Sequence, residues 1–204
     1  MNQFDHLAAT WDANAMHRER SEAVAARILA GIPVGPGWEV LEFGAGTGML
    51  SFMLHSRVKK ICMLDNSPEM VNVMRQKADE ADAGNLYPVL FDLEREAYRH
   101  APFDLIVSQM AFHHVNDIPL VIERFYNMLK PDGFVAVADI YTEDGSFHGS
   151  GFTGHKGFEP DLLSGMFVAA GFRNPSYQEC FVMQKITEGG DMKSFPVFLL
   201  TATK

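Results

Sequence analysis

The stretch VLEFGAGTGM, Val40 to Met49, decides how this chain is read. An apolar run broken by one acid enters a glycine turn, and helical sequence follows. Gly44, Gly46 and Gly48 stand in a G-x-G-x-G pattern, whereas a nicotinamide dinucleotide site wants G-x-G-x-x-G. Glycines after a first strand let the backbone approach a ligand closely. A pyrophosphate would sit on the following helix N-terminus. Glu42, just ahead of the turn, places negative charge there and suits a cationic ligand better.

Working outward, short apolar runs alternate with helical periodicity. Residues 38–43, 60–65, 86–91, 103–109 and 134–140 read as buried strands of a parallel sheet covered on both faces. Between them, Ser67-Pro68-Glu69 opens a helix in which Met70, Val71, Val73, Met74, Ala78 and Ala81 form the apolar stripe. Residues 117–130 form another helix, with Leu120, Val121, Phe125 and Leu129 on its buried side. Strand alternating with helix predicts right-handed crossovers in an α/β, Rossmann-like, doubly wound sheet. Residues 174–187 and 193–204 are strand-like with only the turn EGGDM between them, which predicts a terminal antiparallel hairpin. The whole chain, 1–204, reads as one domain.

Composition narrows the partners. The chain of 204 residues carries a net charge of −9 and lacks a Lys/Arg run, so no nucleic-acid partner is expected. No apolar run approaches the ~20 residues of a membrane span, and the N-terminus does not resemble a signal peptide, so the expected location is cytoplasmic. Cys62 and Cys180 stand far apart in apolar contexts, which suggests buried thiols rather than a disulfide or zinc framework.

Ligands of a doubly wound sheet bind at the carboxyl ends of the strands, beside the first strand. Asp65 ends the second strand, where an acid accepts from ribose hydroxyls. Asp92 follows the third, where it can accept from an exocyclic amine such as adenine's. Three acids at three strand ends describe an adenosine with a positive tail. S-adenosylmethionine meets that description.

In these motifs the chain resembles the class I S-adenosylmethionine-dependent methyltransferases, and most closely their ubiquinone and menaquinone biosynthesis branch. VLEFGAGTG is similar to the family's first motif, MLDNSPEM to its acidic second-strand motif and FDL at 91–93 to its adenine motif. FDLIVSQMAFHHV and LKPDGFVAVADI are similar to the fourth- and fifth-strand stretches. FDHLAATWD, residues 4–12, resembles that branch's opening, with Trp11 in place of its usual tyrosine. The resemblance implies a seven-stranded sheet of order 3-2-1-4-5-7-6 with strand 7 antiparallel. It also implies that Gly44, Ala45, Gly46 and Gly48 shape the cofactor turn, and that Glu42 orients it or receives the cofactor's amino end through water. Asp65 would bind the ribose, with Asn66 and Met70 beside the adenine. Asp92 and Leu93 would hold the adenine's edge and face, and Ser108 and Gln109 would lie near the methionine portion.

Methyl transfer asks an enzyme for alignment, exclusion of water and, for a weak nucleophile, proton removal. His113 and His114, in QMAFHHVND after the fourth strand, are the candidate bases. If the backbone is extended there, the two point to opposite sides, which argues against a shared metal. His148 and His155 lie in the glycine-rich segment 141–158, a long loop expected to serve the substrate. No metal site is expected. Segment 1–30 is expected to be a helical lid, since Phe4, Leu7, Ala8 and Trp11 form an apolar stripe near a terminus, and an indole can face a sulfonium. The expected acceptor is a small organic molecule with an O, N or C nucleophile. Two other readings stay open: an oxidoreductase using NAD, and a non-catalytic module that binds S-adenosylmethionine.

Overall fold

The computed structural model describes residues 4–100 and 102–204; the first three residues of the expected lid segment and Ala101 lie outside the described residues. A 3-10 helix, Asp5–Ala13, leads through Asn14 into α1 (Ala15–Gly31). There follow β1 (Glu39–Phe43), α2 (Met49–Leu54), β2 (Lys60–Asp65), α3 (Pro68–Glu80), β3 (Leu86–Leu90) and β4 (Phe103–Gln109). After a short 3-10 turn, Phe112–His114, come α4 (Ile118–Met128), β5 (Leu129–Ile140), α5 (Pro160–Ala169), β6 (Arg173–Ile186) and β7 (Met192–Thr203).

The strands form one sheet of order β3-β2-β1-β4-β5-β7-β6. β1 to β5 pair in parallel, while β7 lies antiparallel to both β5 and β6. Because successive strand residues face opposite sides, Val40 packs into the core under α1 to α3 and Leu41 into the core under α4 and α5. This is why the strands read as continuous apolar runs. The stretch KPDG, residues 130–133, forms an irregularity inside β5. The register jumps there from Phe103–Leu129 to Leu105–Phe134, and Asp132 has φ 60°.

Local chemistry sets the helix starts. Ser67 Oγ accepts from Met70 N at 3.2 Å and Pro68 follows it, as the sequence predicts. Asp117 accepts from Leu120 N at 3.0 Å and starts α4. Asn14 accepts from Met16 N at 3.0 Å, which divides the N-terminal segment in two. The second part, α1, buries Val24, Ala25 and Ile28 in the core, so a movable cover can consist only of the 3-10 helix. Helix α5 goes unread in the sequence. It places Leu163 and Phe167 in the core but leaves Leu162 and Val168 exposed, so no clean stripe marks it.

Candidate active site

The strand order reverses between β1 and β4, and a cavity of about 650 Å³ opens there at the carboxyl ends of the strands. One end is lined by Gly44 to Thr47, Asp65, Asn66, Met70, Asp92 and Leu93, the other by Arg20, His113, His114, Phe147, His148 and Lys185. Phe4, just ahead of the N-terminal 3-10 helix, and Leu7 and Trp11 within it also line it.

At the first end the glycine turn is held in left-handed conformation, with φ of 65°, 58° and 80° at Gly44, Gly46 and Gly48. Their uses differ. A Cβ on Gly44 would stand 2.3 Å from the Ala111 Cβ, so that glycine permits β1 and β4 to meet. A Cβ on Gly46 would meet nothing within 4 Å and would fill space where a ligand can lie. Gly48 does not line the cavity; it starts α2, and its missing Cβ makes room for Met63 and Met74.

Asp65 is tied to this turn. Its two oxygens accept from Gly46 N at 2.7 Å and Ser67 N at 2.8 Å, joining the first motif to the start of α3. Burial raises its pKa to about 6, against the pull of these hydrogen bonds. Asp92 is half-buried and makes a local turn, accepting from Glu94 N at 3.0 Å, with Arg95 Nε at 3.1 Å. Met70 and Leu93 are buried in the cavity wall, and Asn66 is exposed at its edge.

Glu42 lines the cavity and is also tied beneath the turn. It is 2 % exposed and accepts from both the backbone N, at 3.1 Å, and the hydroxyl of Ser51, so it caps α2 from beneath. Burial, stronger than those hydrogen bonds, raises its pKa to about 7. A group poised there is a weak fixed charge, and negative charge at the mouth of the cavity comes mainly from Asp65. Ser108 is displaced from expectation. It is buried, its Oγ lacks a hydrogen-bond partner, and it does not line the cavity. Gln109 does line it. Its Nε2 donates to Ser21 Oγ at 2.8 Å, leaving Oε1 a buried acceptor without a partner.

At the far end, the expectation that adjacent histidines diverge is overturned. The chain after β4 is not extended: Met110 takes φ 55° and residues 112–114 form a 3-10 turn. The rings of His113 and His114 therefore come to 4.2 Å between centroids, and His148 joins them at 4.9 and 5.1 Å. His113 Nδ1 is 2.7 Å from Asp139 Oδ1, and both side chains are sealed from solvent. Burial, then the neighbouring His113, lowers the pKa of His114 to about 3 and that of His148 to about 4. His155 contributes its backbone instead, donating from N to the His113 carbonyl at 2.8 Å.

Asp139 and Arg20 were missed in the sequence. An acid inside the apolar run VAVADI is the signal that marks Asp139. Arg20, within HRER, resembles a solvated helix face, yet it is 4 % exposed. Its Nη1 donates only to Met183 Sδ at 3.5 Å and its Nε has no partner. Burial lowers its pKa to about 10, opposed by the more distant Asp139.

The comparisons agree with this geometry. Residues 40–133 match the family described as "Methyltransferase domain". An uncharacterized methyltransferase of Bacillus pumilus is 33% identical over 156 residues, 72% of this chain and 70% of that one. The malonyl-[acyl-carrier protein] O-methyltransferase of Serratia marcescens is 30% identical over 133 residues, 65% of this chain and 49% of its own length. The structure of YcgJ from Bacillus subtilis superposes with a TM-score of 0.73 at 18% identity, covering 90% of this chain and 98% of that one. The chain belongs to the class I S-adenosylmethionine-dependent methyltransferases. It spans about half the length of the first curated relatives it matches. Relatives are named for malonyl-[acyl-carrier protein], nocamycin and ubiquinone chemistry alike, so membership does not single out the quinone branch. No helix among the described residues is long and apolar enough to cross a membrane.

Proposed function

We propose that this chain binds S-adenosylmethionine in the glycine-turn end of the cavity and methylates a small organic acceptor held at the histidine end. The observation that carries the reading is the single cavity that joins the two ends. Its volume lies within the ~300–1,000 Å³ usual for small-molecule sites. The chain's residues fit the cofactor: open space over Gly46, carboxylates at the ends of β2 and β3, and the unpaired Gln109 Oε1, which suits an ammonium. When bound, the cofactor supplies a methyl group already activated for displacement by the acceptor's lone pair.

The protein's own work is alignment and proton removal. His113, with its Nδ1 held by Asp139, keeps its other nitrogen for the acceptor's proton. Arg20 bears on the acceptor's identity. An incompletely partnered guanidinium in a cavity wall is costly unless an anion completes it, so an acceptor bearing a carboxylate or another acidic group is favoured. Labelled S-adenosylmethionine with a panel of carboxylic, phenolic and amine acceptors tests the reading. Label should pass to an anionic member, and calorimetry should register cofactor binding. Absence of cofactor binding overturns it.

A further inference from the structure

We propose that His113, His114 and His148 together form a binding site for one transition-metal dication, facing the acceptor end of the cavity. This rests on the reading of the same cavity and shares its acceptor end, but replaces the His113 base by the ion's effect on the acceptor's proton. Each residue offers a ring nitrogen, and the three ligand atoms all lie within 4.8 Å of one another. With metal–nitrogen bonds of about 2.0–2.1 Å, tetrahedral ligands stand roughly 3.3 Å apart, so a contraction of up to about 1.5 Å closes the set. His113 and His114 lie on a rigid turn, and His148 lies on the adjoining loop, where adjustment is easiest.

Two observations point to a cation rather than to ordinary packing. His113 Nδ1 is committed to Asp139 at 2.7 Å, which turns Nε2 outward. A carboxylate behind a histidine is the arrangement that fixes tautomer and orientation in metal centres. Further, His148 Nε2 is sealed from solvent and has no hydrogen-bond partner among the described residues, and such a buried orphan asks for a ligand. The ring of His148 is stacked on Phe152, with centroids 4.0 Å apart and planes at 21°, so its direction is set.

The donor set selects the ion. Neutral imidazoles suit zinc, copper, nickel or iron, whereas magnesium and calcium want oxygen ligands. Three protein ligands leave a fourth position for the acceptor, as in catalytic rather than structural sites. Arg20 and Lys185 also line the cavity, and their charge opposes a dication; Asp139 and an anionic acceptor in the fourth position offset it. With the ion in place, the lone pair of His113 is committed to it. An acceptor hydroxyl bound there loses its proton to water, and the oxygen keeps the electron pair with which it attacks the methyl carbon.

The test uses the full chain, untagged and stripped with chelator, titrated with Zn²⁺ by calorimetry and with Co²⁺ by visible absorption. The expected result is one equivalent bound, a tetrahedral Co²⁺ spectrum, and affinity lowered at least ~100-fold in His148→Gln and ~10–100-fold in Asp139→Asn. Proton NMR of the Co²⁺ form of the unmodified chain should display three hyperfine-shifted imidazole N–H signals, independent of how any variant folds. No stoichiometric binding, or binding unchanged in His148→Gln with fewer than three such signals, overturns the site. S-adenosylhomocysteine binding to the stripped protein is measured alongside. If it persists while metal binding fails, the metal site alone is lost.

Discussion

His113 Nδ1 and Asp139 Oδ1 lie 2.7 Å apart at the junction of the turn after β4 and the end of β5, and neither side chain reaches bulk water. A second tie from His113 N to Asp139 Oδ2, 3.3 Å, fixes the turn to the same carboxylate. Two strands adjacent in the sheet thus place a histidine and its carboxylate together, although 26 positions separate them in the chain.

The first prediction follows from that pair. His113→Gln should lower turnover by about 10²–10⁴-fold, the range for loss of a general base, while cofactor affinity is nearly unchanged. Asp139→Asn weakens the tie that orients the His113 ring, and turnover should fall in the same direction. Steady-state rates beside calorimetry with S-adenosylhomocysteine check this. Full turnover in His113→Gln would remove the histidine from the chemistry.

Cofactor affinity should depend on Asp65. Loss of a charged hydrogen bond costs about 1.5–3 kcal/mol, so Asp65→Ala should bind S-adenosylmethionine roughly ten- to a hundredfold more weakly. Because Asp65 also holds Gly46 N and Ser67 N, the variant should melt earlier as well. Asp92→Asn should be milder, since the amide oxygen still accepts from an adenine amine and the Glu94 turn. Equal affinity in Asp65→Ala and the parent chain, by calorimetry, would contradict the assignment.

Arg20 should trade stability against activity. The neutral Arg20→Met removes a buried, incompletely partnered cation, so the protein should be as stable as the parent or melt a few degrees higher, about 2–4 °C per kcal/mol for a chain of this size. Its KM for an anionic acceptor should rise while cofactor affinity stays unchanged. A calorimetric melt and a KM measurement decide. A large loss of stability would instead make Arg20 part of the core's own bonding.

Stability should also fall as pH rises through neutrality, and Glu42 is the cause. The folded chain holds the Glu42 proton up to about pH 7 and the Asp65 proton up to about pH 6, both above the ordinary 4.5 and 3.8. The folded state therefore binds more protons than the unfolded one between the two sets of values. The stability this supplies is complete below about pH 4 and is lost as pH rises through 6 and 7. For Glu42 the loss amounts to about 3 kcal/mol, at ~1.36 kcal/mol per pH unit. Glu42→Gln keeps an acceptor for Ser51 and has no proton to release. Urea denaturation from pH 4 to 8 should give a falling midpoint for the parent and a flatter one for the variant; parallel curves would assign the slope elsewhere.

The parts of this molecule that were legible in its sequence are those where one local rule acts alone. Buried parallel strands must be apolar on both faces, so residues 60–65 and 103–109 are found in the structure as they read. Ser67-Pro68 starts α3 because its capping chemistry is local. Illegible parts depend on packing. α5 buries Phe167 yet exposes Leu162, so periodicity is blurred. The convergence of His113 with His114 needed the positive φ of Met110, which no residue preference signals. Arg20 sits among charged neighbours, and only the fit of α1 against β6 reveals that it is buried.

The final prediction concerns closure of the site. Phe4 at its start, and Leu7 and Trp11 within it, line the cavity from a 3-10 helix that the core scarcely holds, with Ala8 its only buried residue. Polar latches hold it instead. Asp12 accepts from Thr47 Oγ1 and Lys77 Nζ, each at 2.5 Å, and Asp5 accepts from Ser67 Oγ at 2.7 Å. Two of these partners, Thr47 and Ser67, border the glycine turn and Asp65, so an occupied turn and a latched helix should reinforce each other. We propose that this helix opens and closes as a cover, and that the 141–158 loop takes part only at its tip. The base of that loop is already fixed, with Thr142 N to Phe158 O and Phe158 N to Ile140 O each at 3.0 Å. Hydrogen exchange should therefore reveal protection gained on S-adenosylhomocysteine binding in residues 5–13 and around 144–152, with 155–158 protected throughout. Asp12→Asn should raise the cofactor's dissociation rate with little change in melting temperature, because a half-exposed ion pair adds little to global stability. Trp11→Ala should act likewise if the indole covers the cofactor. Equal exchange with and without ligand would make the helix a fixed wall, and a large fall in the Trp11→Ala melting temperature would place the indole in the core.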